Sequence, residues 1–141
     1  MKIRKIMLNI MQRVFGSALL FFGLNKIFAF LPLPQHTGFA QSFLDHLMQS
    51  GYIMEIIMVV QIMVGLSLLL NRYVEVALIF MFPISMNIFL FHFFHAQSAI
   101  IPATIFLVWN TVLMLSRANV YKILLQNNAS LTLSEVAANT R

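Results

Sequence analysis

Among the polar side chains that interrupt the long apolar runs of this 141-residue chain, five form a candidate cluster: Lys26, Glu55, Gln61, Asn87 and His92. Ammonium, amide and imidazole groups can all donate hydrogen bonds to carbonyl oxygens, and an imidazole can also carry protons near neutral pH. A lysine inside hydrocarbon costs about 3 kcal/mol on the gentlest insertion scale, so Lys26 needs a partner, a watery cavity or a role. Glu55 lies at a similar expected depth and is a candidate counter-ion; the alternative is that both groups reach water independently. Asn87 reads as the deepest of Asn87, His92 and His95, a buried amide to be satisfied by Lys26 or Gln61. His92 and His95 have a spacing that two metal ligands could use, but no carboxylate or cysteine accompanies them. Interfacial hydrogen bonding is the better reading, and no metal is expected. The chain has no cysteine, which excludes disulfides, thiol catalysis and thiolate metal sites.

The elements that must position these groups are set by composition. Hydrophobic residues make up 60% of the chain and charged residues 9%, which is the balance of a membrane protein. Four runs are long enough to cross a hydrocarbon layer of about 30 Å as helices: 7–31, 52–70, 74–94 and 98–115. Their length and lack of strict alternation exclude barrel strands, so the expected fold is all-α, an integral membrane four-helix bundle occupying residues 1–125. In the first run Asn9, Gln12, Arg13, Gly16, Gly23 and Lys26 fall within about 140° of arc and should face the other helices. Gly16 and Gly23 there allow close backbone approach. In the fourth run Asn110 should turn inward, while Trp109 is either packing bulk or the wall of a lipophilic pocket.

Basic residues orient the bundle. Lys2, Arg4 and Lys5 precede the first run, Arg72 lies between the second and third, and Arg117, Lys122 and Arg141 follow the fourth. The other two loops have no Lys or Arg, so both termini are expected in the cytoplasm. The formal charge of +5 fits topology and anionic lipid headgroups, not nucleic acid, because the basic residues are juxtamembrane and not interleaved with aromatics. The first run is too long for a signal peptide and reads as a retained anchor.

Between the first two runs, Pro32 and Pro34 stop one helix and a new amphipathic pattern begins near Thr37, with Phe39, Phe43 and Leu47 recurring every fourth residue. A short helix on the outer side is expected, ended by Gly51 and serving as a connector or as a lid over the bundle. Residues 126–141 turn polar and read as a cytoplasmic tail.

Gly23-Leu24-Asn25-Lys26 with Pro32-Leu33-Pro34 after it resembles the DoxX family of small bacterial membrane proteins. Pro83 to His92 resembles that family's third-helix signature, and Arg117 followed by Tyr121 resembles the end of its fourth helix. The resemblance covers about Val14 to Leu125 and implies a four-helix inner-membrane protein associated with redox or oxidative-stress functions. The family takes its name from a subunit of a thiosulfate:quinone oxidoreductase system. One position departs from the pattern: family members often have glutamate four residues before the small residue that corresponds to Gly65, and here Gln61 stands there.

Three functions fit these residues. The favoured one is a non-catalytic component whose outer polar cluster docks a membrane or extracytoplasmic redox partner, with a second copy of the chain as a further candidate partner. A quinone-binding subunit is the alternative, with Lys26, Gln61, Asn87 and His92 as donors beside Trp109. A transporter of a small lipophilic molecule has least support, since inverted repeats and paired broken helices are missing from the sequence.

Overall fold

A computed structural model describes residues 2–32 and 35–123. Five α-helices follow one another: α1 (Lys2–Phe28), α2 (Phe39–Gln49), α3 (Ile53–Leu70), α4 (Val74–Phe94) and α5 (Ile100–Ser116), the last entered through a 3-10 turn at Gln97–Ala99. The chain is helical again over 118–123. Among the described residues there are no strands. Four helices, with the 3-10 turn counted into α5, are long and apolar enough to cross a membrane. The tail read at 126–141 lies outside the described residues.

The helix limits differ from the expected ones chiefly in α1. It starts at Lys2, because the lysines and arginine before the apolar run are themselves good helix formers. It stops at Phe28, before the prolines, because Asn25 closes the end. The Asn25 side chain accepts from the Leu31 backbone N–H at 2.7 Å and donates to the Leu31 carbonyl at 3.1 Å. Asn25 is thereby buried and satisfied although it points away from the polar stripe. Gly51, with φ +74, takes the left-handed conformation just beyond α2.

Around the bundle α1 packs on α3, α3 on α4 and α4 on α5, while the α1/α5 contact is thinner. The tight α1/α3 contact is built on glycine. A Cβ placed on Gly65 would lie 2.9 Å from the Gly16 carbonyl oxygen, and one on Gly16 would lie 3.0 Å from the Gly65 carbonyl oxygen. The thinner α1/α5 side is filled instead by rings, with Phe15 5.0 Å from Phe106 and stacked on Trp109 at 5.8 Å between centroids. Trp109 also donates its indole N–H to the Met11 carbonyl at 3.2 Å, so it joins α5 to α1 as packing bulk. Phe15, Leu19, Leu68, Leu78, Met81 and Leu113 form the centre of the core. Lipid tails are as apolar as this core, so close packing and interhelical hydrogen bonds must hold the helices together. On the outside, Ile101, Ile105, Val108, Val112 and Leu115 make one exposed apolar stripe along α5.

Candidate functional site

Two ends of the bundle carry polar groups. The basic end gathers the start of α1, the α3/α4 turn and the end of α5. The histidine end gathers the end of α1, α2, the start of α3 and the end of α4.

At the histidine end the expected cluster separates into an inward and an outward set. Lys26 in the last turn of α1 is half-buried, Gln61 is buried and His92 is half-buried. At 100° per residue all three fall on the sides of their helices that face the bundle interior. Gln61 packs beside Gly23, where a Cβ would lie 3.4 Å from its own Cβ, and its Oε1 has no hydrogen-bond partner. His92 donates from Nδ1 to the Ala96 carbonyl at 3.1 Å, which assigns the proton to that nitrogen because a carbonyl only accepts.

Glu55 and Asn87 are exposed, which corrects the reading of Asn87 as a buried amide and, of the two readings of Glu55, agrees with the one that leaves it apart from Lys26. No ion pair joins Lys26 to Glu55; among the described residues the ion pair is Arg117 with Glu75. Gln61, Val64, Gly65 and Leu68 mark the buried side of α3, and Glu55 falls about 130° from its centre. Asn87 is not a buried amide. Val74, Ala77, Leu78, Met81 and Ser85 face inward on α4, and Asn87 falls about 180° from Leu78. It shares an outward face with Val76, Ile79, Pro83 and Leu90. The amide inside the core is Asn110, which donates to the Ser85 hydroxyl at 3.0 Å, and Ser85 in turn donates to the Met81 carbonyl at 2.9 Å. Asn110 Oδ1 has no partner.

α2 is fastened over this end by rings. Phe43 stacks on Phe91 at 5.6 Å and Phe39 lies 4.6 Å from His95, while His36 lies 5.7 Å from Phe91 and 6.0 Å from His92. Gln41 supports the approach to α2 by accepting from the His36 backbone N–H and donating to Asp45. These ring contacts tie α2 to the end of α4. Among the described residues no three His, Cys, Asp or Glu side chains come together to hold a metal ion.

The most connected polar network lies at the other end and joins all four long helices. Arg117 donates to Glu75 at 2.5 Å and to Gln12 Oε1 at 2.6 Å. Gln12 donates to the Leu68 carbonyl at 2.7 Å and to Asn71 Oδ1 at 3.1 Å. Leu68 is in the last turn of α3, where carbonyls lack intrahelical donors, so Gln12 acts as a cap supplied by a neighbouring helix. Tyr121 donates its hydroxyl to the Glu75 carbonyl at 3.0 Å. Burial, and then the nearby Glu75 charge, hold the Tyr121 phenol above its ordinary value, with Arg117 opposing. Sequence reasoning placed Gln12 on an inward stripe and Arg117 and Tyr121 in a family pattern, but did not connect them. The available signal was Glu75, the only carboxylate at an end otherwise made of Lys and Arg before the tail.

Two cavities lie outside the inward set. One of about 510 Å3 is lined by Phe93, Phe94, Gln97 and Ile100. The other, about 310 Å3, opens between α1 and α5 at the basic end. Neither is lined by Lys26, Gln61 or His92. No family model, curated protein or solved structure matches the chain.

Gln61 provides a test that separates structure from function. Its Oε1 has no bond to lose, so Gln61→Leu should leave thermal unfolding in detergent unchanged or raise stability by up to about 1 kcal/mol. A loss of about 2 kcal/mol or more would show that this oxygen has a structural partner.

Proposed function

We propose that this chain is a DoxX-like, non-catalytic component of a redox or oxidative-stress system in the bacterial inner membrane, docking a partner protein at its histidine end. The carrying observation is that Lys26, Glu55 and Asn87, set on membrane-crossing helices, have no hydrogen-bond or ion-pair partner among the described residues. Polar groups at membrane depth are costly to leave unpaired, and a partner molecule at this end would supply the missing contacts. Every Lys and Arg of the described chain except Lys26 falls towards the basic end, which supports cytoplasmic termini. On that topology α2 lies on the outer side, beside the partner.

The test is affinity capture of the tagged chain from native membranes in mild detergent. The wild type should bring down one protein at constant stoichiometry. Lys26→Met and Asn87→Leu should each reduce that recovery roughly tenfold, the loss of one good polar contact, with thermal unfolding unchanged or improved. Consistent recovery of the chain alone would overturn the proposal. A quinone retained in stoichiometric amount would move the reading to the quinone-binding alternative.

A further inference from the structure

The cavity between α1 and α5 at the basic end has two kinds of wall. Lys5, Asn9, Arg117 and Asn119 contribute polar groups to its lining, and Leu8 and Leu113 apolar ones. Lys5, Asn9 and Asn119 are exposed, and none is hydrogen-bonded or ion-paired to another described side chain. The charge of Arg117 is offset by Glu75, so among the described residues Lys5 leaves the groove with one uncompensated positive charge and two unpaired amides. Its depth is equally defined. Lys5 is in the first turn of α1, and α5 ends at Ser116, so the groove opens where a membrane-crossing bundle meets headgroups. Further in, Phe15 packs against Phe106 and Trp109 and closes the same side of the bundle.

We propose that this groove is a binding site for the phosphate diester of an anionic phospholipid. The Lys5 ammonium and the amide N–H groups of Asn9 and Asn119 face the phosphate, which offers only acceptors and carries the complementary charge. The glycerol lies against Leu8 and Leu113, and the closed ring cluster keeps the acyl chains along the outer surface of α1 and α5. A zwitterionic lipid brings its own cation to the same place and meets Lys5 with a like charge. The site is independent of the partner surface proposed for the histidine end.

The test uses the full chain reconstituted in vesicles of equimolar dioleoyl phosphatidylglycerol and dioleoyl phosphatidylcholine, re-extracted and weighed intact with its retained lipid. The wild type should retain phosphatidylglycerol in preference to phosphatidylcholine. Lys5→Gln should lower that retention roughly tenfold, the loss of one charge-assisted bond, and Asn119→Trp should lower it by filling the groove. Lys122→Gln removes the same charge outside the cavity lining and should leave retention within about twofold, as an exposed charge beyond the site. Equal losses from Lys5→Gln and Lys122→Gln would overturn the site in favour of bulk charge. Retention of phosphatidylcholine at the wild-type phosphatidylglycerol level would overturn its charge selectivity, and displacement of lipid by millimolar inorganic phosphate would overturn the assignment to a lipid.

Discussion

Arg117→Met should destabilise the bundle by about 2–3 kcal/mol, somewhat under the range for breaking a fully buried ion pair because these side chains are about a quarter exposed. The change removes two charge-assisted hydrogen bonds at once, and what remains is worse than their absence. Glu75 is left half-buried with no cation, and Gln12 Oε1 loses its donor while its Nε2 still holds the Leu68 carbonyl. Glu75→Gln keeps a hydrogen-bond acceptor for Arg117 and should cost less than Arg117→Met. Combining Arg117→Met with Glu75→Leu removes the stranded carboxylate and should recover part of the loss, since contacting residues are not additive. Unfolding of the wild type, Glu75→Gln, Arg117→Met, Glu75→Leu and the double variant in one detergent checks this. Strict additivity would show that the pair contributes as two independent surface charges.

The four membrane-crossing runs were legible because composition and length alone identify them, and α3 and α4 agree with the expected limits to within a residue. Hydropathy does not mark where a helix begins, so the polar turn from Lys2 to Lys5 was assigned to a flank when its residues continue the helix. Inward and outward faces were harder. α2 has polar and apolar sides, and its pattern placed it within two residues at each end. α3 and α4 are apolar on nearly every side, so no periodicity distinguishes core from lipid, and only packing puts Asn87 outside and Ser85 inside. The Gln12, Glu75 and Arg117 network depends on three segments meeting at one end of the bundle. Each residue has an ordinary local explanation, and helix order around the bundle decides that they touch.

Gly65→Ala should lower stability by about 1–3 kcal/mol, the usual cost of overpacking a close contact. Local propensity points the other way, because alanine is favoured over glycine inside a helix by about 1 kcal/mol. The contact geometry decides the sign. An added methyl at Gly65 would stand 2.9 Å from the Gly16 carbonyl oxygen, 3.0 Å from the Leu20 nitrogen and 2.8 Å from Leu20 Cγ. The Leu20 side chain has some freedom to shift, but two backbone atoms on α1 do not, so α1 and α3 must move apart. That movement also lengthens the 2.7 Å bond from Gln12 to the Leu68 carbonyl, which links the glycine contact to the basic-end network. Gly65→Ala and Arg117→Met together should therefore cost less than the sum of their separate effects, as both loosen the same attachment of α1. Gly38→Ala is the control: φ there is +62 with open space around it, so its cost is that of backbone strain alone and should not couple to Arg117. Thermal unfolding of the single and double variants in one detergent measures both quantities. A Gly65→Ala protein more stable than the wild type would mean that α1 and α3 do not approach each other through these two glycines.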